Sequence, residues 1–84
     1  MTIAGVVIET APGAAPRVAA RLVREPGLEV HGGDGDHRIA AVFAGADGQA
    51  LTAFAEGLLA GDEEVLGVFP TYVADPSAGV GSEG

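Results

Sequence analysis

The sequence predicts an α+β domain of four antiparallel strands and two helices, in the order β-α-β-β-α-β. Three observations lead there. β-branched runs near both ends, around Val6-Val7-Ile8 and Val65-Leu66-Gly67-Val68, have the length and composition of strands. Two segments between them carry apolar residues at helical spacing. A Gly- and Asp-rich cluster, Gly32-Gly33-Asp34-Gly35-Asp36, separates two further strand-like runs where a hairpin needs its tip. Eighty-four residues hold one small core and are too few for two.

The first strand is Ile3 to Glu9, too short for a helix and broken by Ala11-Pro12-Gly13. Pro16 suits the first turn of a helix, where its missing N–H costs nothing. From there to Arg24, Val18 and Leu22 share a stripe with Ala15 and Ala19, while Arg17, Arg21 and Arg24 take the opposite face. Pro26-Gly27 is the stop signal. Leu28-Glu29-Val30-His31 alternates as a half-buried second strand. Arg38 to Ala44 returns as the third, with Ile39, Ala41 and Phe43 on one face and Ala40 and Val42 on the other. Asp47 is placed to cap a second helix, Gly48 to Ala60, whose Leu51, Phe54, Ala55, Leu58 and Leu59 form one side. Gly61 closes it, and Val65 to Val73 is the last strand. Residues 1–75 make the domain, and 76–84, small and Gly-rich, are expected to be a disordered tail.

Right-handed crossovers and adjacent pairing turn this order into the split βαβ, ferredoxin-like sandwich, a four-stranded sheet of order 4-1-3-2 with both helices on one face. Pro70 agrees independently. Proline cannot donate to a ladder and belongs on an edge strand, which the fourth strand is. Helix-facing positions are then Ala4, Val6, Ile8, Ile39, Ala41 and Phe43. The open face shows Ile3, Gly5, Val7, Ala40 and Val42, with Glu9, Glu29, His31 and Arg38 around them. The alternation leaves the parity of Val68 and Phe69 undecided. An apolar open face marks a partner site, a self-association surface, or a surface covered by the tail.

Composition excludes several classes. Four Arg, no Lys and twelve acids give a net charge of −8, so a nucleic-acid partner lacks the basic face it needs. No Cys leaves no disulfide, thiolate site or cysteine nucleophile, and fits a reducing compartment. No apolar run approaches the roughly 18 residues of a membrane span, and Met1 to Gly5 has no basic signal region. A cytoplasmic protein with no membrane insertion is expected. His31, Asp34, Asp36 and His37 include metal-ligating types, but Asp and Gly are also what a hairpin tip requires, and no metal site is assigned. The arginine row is a solvated helix face balanced by Glu25 and other nearby carboxylates. No carboxylate pair, nucleophile arrangement or phosphate loop supports catalysis, so neither enzyme activity nor a cofactor is expected.

Gly5-Val6-Val7-Ile8, Pro26-Gly27-Leu28-Glu29-Val30-His31, Gly35-Asp36-His37-Arg38-Ile39 and Val65-Leu66-Gly67-Val68-Phe69-Pro70-Thr71-Tyr72 together resemble the NapD chaperones. The stretch departs from the family at Pro70-Thr71 and at Val73, where a histidine would be expected. The resemblance implies a cytoplasmic chaperone, monomer or weak dimer, that performs no chemistry. It would bind the twin-arginine signal peptide of a periplasmic nitrate reductase catalytic subunit precursor and delay export until the molybdenum cofactor is inserted. The residues then expected to bind are Ile3, Gly5, Val7, Glu9, Glu29, His31, Arg38, Ala40 and Val42. The alternative on the same topology is an ACT-like regulatory domain, whose small-ligand loop would be Ala11-Pro12-Gly13-Ala14. An acylphosphatase-like enzyme needs an Asn that the chain lacks. An RNA-recognition domain needs paired sheet aromatics and positive charge, and a metal carrier needs a Cys pair.

Overall fold

The computed structural model describes residues 1–74; the expected tail lies outside the described residues. The elements are β1 (Thr2–Thr10), α1 (Ala15–Leu22), β2 (Leu28–Gly33), β3 (Arg38–Gly45), α2 (Gly48–Gly61) and β4 (Val65–Ala74). The sheet is antiparallel in the order β2-β3-β1-β4, which is the expected order read from the other edge. β1 and β3 are central, and Pro70 lies on the β4 edge, where its missing donor breaks no inner ladder.

Strict alternation along β1 and β3 sends Ala4, Val6, Ile8, Ile39, Ala41 and Phe43 to one side. There they pack with Ala15, Val18 and Leu22 of α1 and Leu51 of α2 in a single buried cluster. Phe54 and Leu58 close its margin, and Phe54 stacks on Phe43 with ring centroids 5.1 Å apart. Each fully buried Val, Ile or Leu in this layer contributes about 1.5–3 kcal/mol. Leu59, expected on this side of α2, is 43% exposed instead. The helix meets the sheet along a narrow stripe, and Leu59 falls off its edge.

The turns have local causes. Asp47 caps α2, its carboxylate accepting from the Ala50 N–H at 3.0 Å. α1 stops at Leu22, two residues before the expected end. The Arg24 N–H donates to Arg21 and the Glu25 N–H to Leu22, tightening the last turn ahead of Pro26. Gly27 has φ +81°, and a Cβ there would lie 2.6 Å from the Ala44 carbonyl. β2 runs on through Gly32 and Gly33, so the hairpin tip is shorter than expected and begins at Asp34.

Candidate functional site

The two faces of the sheet differ in kind. One is under the helices, and the other has no element of the described chain across it. Cross-strand partners arrange the open face in rows. Glu29, Val42, Gly5 and Tyr72 form one row from β2 to β4. Gly32, Ala40, Val7 and Phe69 form the next, and Arg38, Glu9 and Gly67 a third. Ile3 lies beyond the first row, between Ala44 and Ala74. His31 sits in a register shift between Val30 and Gly32, with its Nε2 3.1 Å from Glu29 Oε1 on the same face. All nine residues expected here are therefore brought to one surface.

One of the nine differs from expectation. Gly5 is buried, because the Tyr72 ring lies over it, together with Thr71 Oγ1, in the space a side chain would fill. Phe69 sits comparably against Gly67. These two aromatic residues, 53% and 51% exposed, are the largest apolar groups on the face, and alternation alone missed them. β4 shifts register twice against β1, passing over Thr71 between Tyr72 and Pro70 and over Leu66 between Gly67 and Val65. Each shift inserts one residue and resets the parity by which faces are read. Only Pro70 hinted at irregularity.

The other candidate groups are engaged in holding the fold. Asp34 Oδ1 accepts from the N–H groups of Asp36, His37 and Arg38. Those donors, Asp36 first, lower the Asp34 carboxyl to a pKa of about 2. His37 Nδ1 lies 3.1 Å from Asp36 Oδ2 and 3.3 Å from Asp34 Oδ2, while His31 turns to Glu29. The described residues include no group of three or more His, Asp or Glu placed to hold a metal ion. Asp36 also receives the Gly13 N–H on Oδ1 at 2.7 Å and the Ala15 N–H on its carbonyl at 3.0 Å. The Ala11–Ala14 loop, where an ACT-like domain would take its ligand, thus spends a central donor on the hairpin tip.

Of the arginine row, Arg17 and Arg21 meet nearby carboxylates, as expected, but those of the turn after α2 and not Glu25. Arg17 Nη2 donates to Glu64 at 2.6 Å, and Arg21 donates to Asp62 and Glu64 at 2.9 and 3.0 Å. Arg17 and then Arg21 lower the Glu64 carboxyl to a pKa of about 2. Between the helices lies a groove of about 460 Å³ floored by Leu22, Phe54 and Leu58. Among the described residues no helix is long and apolar enough to cross a membrane.

The family model described as NapD protein matches residues 1–74. No curated protein and no solved structure matches the chain significantly.

Proposed function

The chain belongs to the NapD family, whose members are chaperones in nitrate reductase maturation and not enzymes, and from that premise we propose that its open sheet face binds the twin-arginine signal peptide of a nitrate reductase catalytic subunit precursor. In this reading the protein acts in the cytoplasm and holds the precursor back from export until its molybdenum cofactor is in place. The observation that carries it is the apolar strip of partly buried Val7 and Val42 and half-exposed Phe69 and Tyr72, with Glu9 and Glu29 beside it. A twin-arginine leader couples two guanidinium groups to an apolar segment, and this face offers both complements. Burial of the strip supplies most of the affinity, at about 25 cal/mol per Å² of apolar surface. The carboxylates contribute orientation and encounter rate more than affinity.

Calorimetry with a synthetic leader peptide tests the reading. Val7→Glu should weaken binding more than twofold, because it places an unpaired charge between Ala40 and Phe69 where apolar groups meet. Its circular dichroism should match that of the unaltered protein, since Val7 points away from the core. Lysine for both peptide arginines should cost less affinity than deletion of the apolar segment. No heat and no chemical-shift change at high micromolar peptide would sink the reading.

A further inference from the structure

The open face changes character from edge to edge. β4 carries no charged residue from Val65 to Ala74, and Phe69 and Tyr72 stand on it. At the opposite edge β2 presents Glu29 and His31. The face holds two carboxylates, and they are not equivalent. Glu9 has Arg38 as its cross-strand neighbour, so a positively charged residue stands next to it on the face. Glu29 has Val42 as its cross-strand partner, so no arginine faces it, and its Oε1 lies 3.1 Å from Nε2 of the neighbouring His31. The Glu29 side chain is 78% exposed. Of the nearby hairpin acids, Asp34 Oδ1 takes three backbone donors and Asp36 Oδ1 takes the Gly13 N–H, so one oxygen of each is held by the turn.

We propose that the bound peptide lies across the strands, its arginines at the β2 edge against Glu29 and its apolar segment over Phe69 and Tyr72 at the β4 edge. This orientation rests on the reading of the open face as a peptide site. Two centres of unlike chemistry in the ligand meet two centres of unlike chemistry on the sheet, three strand spacings or about 14 Å apart. The path between them crosses Val42, Gly5, Ala40 and Val7, which bear no charge. A peptide laid along β1 instead, with its arginines at Glu9, would bring them up against Arg38, and laid the other way it would set them by Ile3, where no carboxylate stands across the strands.

The test compares two synthetic peptides by calorimetry at about 0.15 M salt, where the screening length of about 8 Å keeps each substitution local. One carries two adjacent arginines followed by an apolar segment, and the other has both arginines replaced by glutamine. Glu29→Gln should weaken the arginine peptide about threefold and leave the glutamine peptide unchanged, as suits an exposed ion pair. Glu9→Gln should change neither by as much. Tyr72→Ala should weaken both peptides alike, about tenfold, as loss of an aromatic anchor does. A larger effect of Glu9→Gln on the arginine peptide, or an equal effect of Glu29→Gln on both peptides, would overturn the orientation and leave the site standing. Absence of binding to the unaltered protein would overturn both.

Discussion

At the scale of single residues, the pairing of Gly5 with Tyr72 decides the shape of the candidate site. A methyl group on residue 5 would meet the Tyr72 ring and, at 2.9 Å, Thr71 Oγ1. Because the ring is half exposed it can turn outward, so Gly5→Ala should keep the fold and displace the ring. Tyr72 is the one tyrosine and the chain has no tryptophan, which makes its emission a reporter of this face alone. A two-arginine peptide without aromatic residues should change that emission saturably, and Gly5→Ala should alter it before any peptide is added. Unchanged emission at saturating peptide would place Tyr72 outside the contact. The sequence could not reveal this pair. Tyr72 and Gly5 are far apart in the chain, and the bulge at Thr71 that brings them to one row leaves no mark in the alternation.

At the scale of elements, legibility follows regularity. β1 and β3 pair without interruption, so alternation named both faces of each correctly. α2 announced its start through Asp47 because a cap is a local feature. β4 was legible as an edge strand but not by face, since its two register shifts each reversed the count. The clasp of Arg17 and Arg21 on Asp62 and Glu64 was illegible for another reason, as its partners are 41 to 47 residues apart. That clasp ties α1 to the turn before β4, and it gives stability an acid dependence. Glu64 has its pKa depressed from 4.5 to about 2 in the folded chain, so its contribution is complete above pH 4.5 and is lost as pH falls toward 2. Asp34 adds a similar loss from 3.8 toward about 2. Thermal melts of the unaltered protein should therefore decline across this window. Arg21→Ala should melt lower than the unaltered protein at pH 7, with the gap closing toward pH 2 as the acids protonate. A gap that persists at pH 2 would show that Arg21 acts through packing and not through charge.

At the scale of the whole molecule, a net charge of −8 sits on a domain whose proposed contact is mostly apolar. Of its four arginines, Arg17 and Arg21 are engaged with acids of the α2–β4 turn, so their charge is spent locally. The remaining negative field reaches into solvent and draws a cationic peptide toward the protein before any contact forms. Contact then depends on Val7, Val42, Phe69 and Tyr72, whose burial is indifferent to ionic strength at moderate salt. The two stages separate in kinetics. Raising salt from about 0.05 to 0.5 M should slow association with the two-arginine peptide about tenfold, because steering is screened. Dissociation should change by no more than about threefold, because salt screens the one exposed ion pair at Glu29 while the apolar contacts are left as they are. Stopped-flow recording of Tyr72 emission measures both rates. If salt acted chiefly on dissociation, the peptide arginines would be held in close ion pairs, and the apolar strip would not be what retains the ligand.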